Sequence, residues 1–215
     1  MFSPGMLVRG VIECAARVFW VLGVPGDSPE QVLARAYLEE LLSAEEAKKA
    51  AGRMGGKETG IYKQQLKAYT DMRAEIVGRF GGATKEDVGK GLLCGQTRPK
   101  PHEAVIDMYA LLEKTGVSTV TSEASKGMYD YLSNVTHPTL YPTRQLTQWV
   151  THPDDPNEVV AQLSLEVSSV EREVVVAMQA YFHVISYVTS FYGWGTEVFD
   201  KLQAEWKKVL PGTFR

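Results

Sequence analysis

Along the chain, apolar positions recur at steps of three and four, and almost nowhere at steps of two. That spacing lays them on one face of a helix. The first run, Leu7, Val11, Cys14, Ala15, Val18, Phe19 and Leu22, predicts a helix from Pro4 to Leu22, with Ser3 as cap and Pro4 in the first turn. "GVPGD" at 23–27 breaks it. Ser28 then caps a second helix, with Pro29 at its first position and Gln31 completing a capping box, and Gly55 and Gly56 stop it. A third helix over 59–79 carries the stripe Ile61, Leu66, Tyr69, Met72 and Ile76, followed by Phe80. Residues 84–90 read as one turn of helix, and 92–101 as a loop by their Gly and Pro content. A fourth helix opens at Pro101 and runs to Lys114, turning Val105, Met108, Leu111 and Leu112 inward. The fifth covers 121–137 and halts at His137, directly before Pro138.

Beyond it, "PTLYPTRQLTQWVTHPDDP" reads as a connection that packs Leu140, Tyr141, Leu146 and Trp149 without regular structure. One long helix is expected over 156–192, capped by Asp155 or Asn157, and a final amphipathic helix, "TEVFDKLQAEWKKVL", ends at Pro211. "VVVA" inside the long segment also suits a buried strand, but the surrounding 3.6-residue period favours helix. The expectation is an all-α, single-domain helical bundle of five to seven helices over 1–215. Residues 1–140 form the core bundle, 141–155 a proline-containing connection, and 156–210 the long helix plus the final amphipathic one.

Composition narrows the classes. Of 215 residues, 44% are apolar, enough for a substantial core, and the net charge of −3 provides no basic footprint for nucleic acid. Cys14 and Cys94 lie far apart and outside any CxxC pattern, so each reads as a lone thiol, Cys14 on an apolar helix face, and a cytoplasmic setting is expected. Arg9, Glu13 and Arg17 interrupt the apolar N-terminal run, so no secretory signal is evident. The chain starts almost inside its first helix, as a trimmed chain or a short relative lacking an upstream helix would. "VVVAMQAYFHVISYVTSFYGW" has the length of a membrane span but carries Gln179, His183 and several hydroxyls; a central buried helix is expected, and no membrane partner.

Candidate chemistry sits on apolar helix faces. Arg9, Glu13 and Arg17 are four residues apart and share a face, either as an exposed ladder or as a buried ion network. Arg35 is enclosed by Leu33, Ala34, Ala36 and Leu38, and either snorkels to solvent or serves a site. In "GMYDYLSNVTHPTLYP", Tyr129, Ser133 and His137 follow one another at four-residue steps, and Asn134 is three before His137. A histidine there caps the free helix carbonyls or serves as an acid, base or anion ligand. His102 is expected exposed, His152 in a loop, and His183 as a satisfied core histidine. With no HExxH, paired Glu-x-x-His, Cys/His cluster, Gly-rich phosphate loop or GxSxG elbow, no metal and no cofactor is expected.

"RGVIECAARVFWVL", "ARAYLEELLSAEEAKKAAGRMG" and "MYDYLSNVTHP", in that order, resemble a family of actinobacterial all-helical proteins of unassigned activity. The matching positions are Glu13, Arg17, Trp20, Arg35, Tyr129 or Tyr131, Leu132, Ser133 and His137, and they fall within residues 5–140. More distantly, that family is similar to the HEPN superfamily of helical bundles, many of which are metal-independent ribonucleases of toxin and antiphage systems. The resemblance implies a candidate constellation of His137, Arg17, Arg35, Glu13, Ser133 and Tyr131, with His137 moving a proton and arginine holding phosphate. It also implies a homodimer, for which Trp149 and Trp206 offer contact points. The chain departs from the HEPN motif, because Ser133 stands where the arginine belongs. The missing arginine and the acidic balance weigh against RNA as substrate. Three readings follow: a non-catalytic interaction protein of a defence or stress module, a ribonuclease whose arginine comes from another helix, and a small-molecule enzyme or sensor with an interhelical pocket lined by Trp20, Tyr131 and Tyr187. The first is preferred.

Overall fold

The computed structural model describes residues 4–118, 120–136, 147–163 and 167–209. Helices dominate them. In chain order they are α1 (Pro4–Leu22), α2 (Pro29–Gly55), α3 (Gly60–Arg79), the short α4 (Lys85–Gly89), α5 (Pro101–Lys114), α6 (Ser122–Thr136), α7 (Val167–Tyr192) and α8 (Glu197–Val209). Two small antiparallel hairpins interrupt them: β1 (Leu92–Leu93) with β2 (Gln96–Thr97), and β3 (Thr147–His152) with β4 (Asp155–Leu163). The fold is all-α.

The chain divides into two compact units, one of residues 1–19 and 101–215 and the other of residues 20–100. The first has a core drawn from α1, α5, α6 and α7: Val8, Ile12, Ala15, Ala16 and Phe19 meet Ala104, Val105, Met108, Leu112, Tyr129, Leu132 and Ala180. Phe19 stacks on Tyr187 with ring centroids 4.4 Å apart. Tyr109, wholly enclosed there, is pushed up to about 12 by burial. The second unit has its own cluster, in which Ala34, Leu38 and Leu41 of α2 pack on Ile76, Phe80, Val88 and Leu93. Its helices start and stop where the sequence signals them. Ser28 Oγ accepts from the Gln31 N–H at 3.2 Å, and Gln31 Oε1 accepts from the Ser28 N–H at 2.8 Å, a complete capping box. Gly56, at φ 81°, ends α2 in a conformation that side chains resist.

Three expectations need correction. Residues 147–163, read as part of an irregular connection and the start of a long helix, are instead the β3–β4 hairpin; the earlier part of that connection lies outside the described residues, and α7 begins at Val167, not at Pro156. Thr147, Trp149, Val150, Thr151, Val159 and Val160 are residues that suit strands, and the turn is held by Asp154 N–H to His152 Nδ1 at 3.2 Å and Asn157 N–H to Asp155 Oδ1 at 2.9 Å. Asp155 thus closes a turn and caps no helix. Residues 92–97 are a minimal hairpin, not a loop; Cys94 and Gly95, both at positive φ (47° and 73°), form its two-residue turn. Cys14 faces solvent, not the apolar side of α1.

Candidate functional site

The charge row of α1 is a network. Arg9 and Glu13 sit one helical turn apart, and Arg9 Nε donates to Glu13 Oε1 at 2.8 Å. Tyr129 reaches the same oxygen from α6: its hydroxyl donates to Glu13 Oε1 at 2.7 Å and accepts from Arg9 Nη2 at 3.0 Å. Ser133, one turn further along α6, lies 3.4 Å from Arg9 Nη1. The Arg9 guanidinium also stands over the Tyr129 ring, 5.1 Å from its centroid. The result is a closed triangle of cation, carboxylate and phenol that ties α1 to α6 beside the first unit's core.

Electrostatics favours the resting protonation states. Burial pushes the Arg9 guanidinium down, but hydrogen bonds from Arg9 to Glu13 and Tyr129 outweigh it, so the charge is held above its ordinary pKa. Burial and then the Glu13 carboxylate push the Tyr129 phenol up, and Arg9 only partly opposes them. A tyrosine so placed keeps its proton near neutrality and is a poor base or nucleophile.

Arg35 belongs to the second unit and serves another lock. Only 5% exposed, it donates from Nη2 to Asp27 Oδ2 at 2.7 Å, from Nη1 to Gln96 Oε1 at 2.8 Å and from Nε to the Val21 carbonyl at 3.2 Å. It does not snorkel. Asp27 Oδ2 also accepts the Val24 N–H at 3.0 Å, which fixes the α1–α2 turn. Gly23, at φ 75°, lets the turn pass against this pair: a Cβ there would fall 2.0 Å from Arg35 Nη2 and 2.1 Å from Asp27 Oδ2.

Of the six residues expected to form one constellation, the structure joins Glu13 and Ser133 through Arg9. Tyr131 is exposed, and its hydroxyl donates to Glu173 Oε1 of α7 at 3.2 Å, so Tyr129, not Tyr131, is the tyrosine of the network. Arg17 is half-buried one turn beyond Glu13. Arg35 has the partners just named, and His137 lies outside the described residues. Of the rings proposed to line a pocket, Trp20 packs on the second unit's cluster and Tyr187 on Phe19. Among the described residues, no three His, Cys, Asp or Glu side chains gather where they could hold a metal ion. Sequence reading passed over Asp27, Gln96 and Glu173. The "PGDSP" spacing, which sets an aspartate two turns before Arg35, was the available signal for the first.

His183 is a core histidine, 7% exposed, but its Nδ1 has no hydrogen-bond partner among the described residues. Burial pushes its pKa below the ordinary 6.5. The unfolded chain therefore takes up a proton near that pH while the folded chain stays neutral. Stability should fall as pH drops below about 6.5, and the fall should continue until the folded form protonates. Urea unfolding midpoints measured across this range should show the slope, and His183→Leu should flatten it. An unchanged slope in that variant would assign it to other groups.

The fold and the two locks define the class: an all-α protein in which buried Arg35 and half-buried Arg9 hold helices and turns together. Compared with family models, with curated proteins and with solved structures, the chain matches none of them.

Proposed function

We propose that this is a non-catalytic helical interaction protein, in which the Arg9–Glu13–Tyr129 network fixes helix packing. The observation that carries this reading is the occupancy of Arg9. Its guanidinium donates to Glu13, Tyr129 and Ser133, so each of its three nitrogens is engaged inside the protein. Phosphodiester chemistry needs a cation aimed at the reacting group and a proton carrier within reach of it. Support for binding comes from the other end of the chain. Trp149, Val159, Tyr181, Trp194, Val198 and Val209 are all exposed large apolar residues. Exposed apolar side chains of this size suit a protein partner.

The test is incubation of the purified full chain, and of His137→Ala, with single-stranded RNA in chelator. Neither is expected to cleave. Cleavage by the native chain that disappears in a normally folded His137→Ala variant would establish the ribonuclease instead.

A further inference from the structure

We infer that the exposed side of α7 is a helix-pairing seam for a second copy of this chain, which takes the interaction reading above and names its partner. α7 has apolar side chains on nearly its whole circumference, and two of its sides are covered. Val176, Ala177, Ala180, Val184 and Tyr187 enter the first unit's core. Roughly opposite, Phe182 meets Phe199 and Trp206 of α8 at ring distances of 6.4 and 5.9 Å. Trp206 is therefore half-buried within the unit and is not the free contact point expected from sequence.

A third side is left. Val167, Val174 and Tyr181 recur at steps of seven and are 72%, 43% and 54% exposed. Val188 continues the step, and Val170, Ile185 and Tyr192 flank it. A helix apolar on so many sides is normally enclosed on all of them. The seven-residue step selects the occupant, because only another helix keeps side chains in register with it, knob into hole.

Charge selects a second copy. The charged side chains of α7 are Glu171, Arg172 and Glu173, all near its start, and from Val174 to Tyr192 there are none. Two α7 seams can therefore meet without repulsion. In an antiparallel pair centred on Tyr181, Val174 faces the second copy's Val188. The charged start of each helix then lies beside the uncharged aromatic end of the other, away from its own duplicate.

Size is sufficient. A helix of this length extends about 39 Å, and a stripe about 10 Å wide gives roughly 400 Å² per copy. Trp194, 61% exposed, would reach the second copy's Val167 and bring the total to about 1,000 Å², the lower bound for a specific pair.

The experiment is sedimentation velocity of the full chain over a concentration series, with Val174→Lys/Tyr181→Lys as the variant. Both positions are exposed, so the variant should keep its helical circular dichroism while its mass drops from twice that of the chain to that of the chain. Tyr181→Cys, in a Cys14→Ser/Cys94→Ser background, should form an intermolecular disulfide on oxidation. A native chain that stays single at every concentration, a dimer that survives the double lysine variant, or a single chain that floats with phosphatidylcholine vesicles would each overturn the proposal. A single chain that also leaves RNA intact would remove the second copy as partner and leave the interaction reading in place. RNA cleavage would remove that reading whatever the mass.

Discussion

Arg35→Met is expected to lower the unfolding free energy by about 3 kcal/mol, the cost of removing one partner from a buried ion pair. The lost groups are specific. Asp27 would keep only the Val24 N–H, and Gln96 and the Val21 carbonyl would lose their donor. Gly23→Ala should produce a loss of similar size by the opposite route. Its Cβ would drive the Arg35 guanidinium away from Asp27, and the left-handed backbone adds about 1–2 kcal/mol for any side chain. The two effects should not add. With Met at position 35, the added Cβ has less to displace, so the second substitution should cost little more than its backbone strain. Urea unfolding of the two single variants and the double variant measures this; full additivity would show that Gly23 is needed for something other than the arginine.

Arg9→Met should cost about 2 kcal/mol, within the range for hydrogen bonds to charged groups. The site is less enclosed than Arg35: the side chains of Arg9 and Glu13 are each 23% exposed, and water recovers part of the loss. Tyr129→Phe should cost less, because Glu13 retains Arg9 and the ring remains in the core. Thermal unfolding of both variants gives the order, and a larger loss for Tyr129→Phe would place the anchor on the phenol.

These locks show what local sequence encodes. The capping box of Ser28 and Gln31 could be read from three adjacent positions and appears as read. The Arg9–Glu13 pair followed from a four-residue step. Tyr129 and Tyr131 could not be separated that way, since one points to α1 and the other to α7, and only the packing of α6 decides. Gln96 is distant from Arg35 along the chain, and Asp27, nearer to it, sits in a segment read only as a break. The β3–β4 hairpin escaped notice for a physical reason. Strand alternation is a record of one buried face, and no described side chain of this hairpin is buried, so there was no alternation to find. Val159, Val160 and Leu163 also happen to continue the helical spacing of α7.

The measurement that bears most directly on this account is the unfolding free energy of Arg9→Met against the native chain. Side chains held for catalysis are commonly strained or unfavourably charged, and their removal leaves stability unchanged or raises it. A network that exists to pack helices loses stability when its cation is removed. A clear loss is expected for Arg9→Met, with coupling to Tyr129→Phe in the double variant. An Arg9→Met protein as stable as the native chain, or more stable, would contradict it.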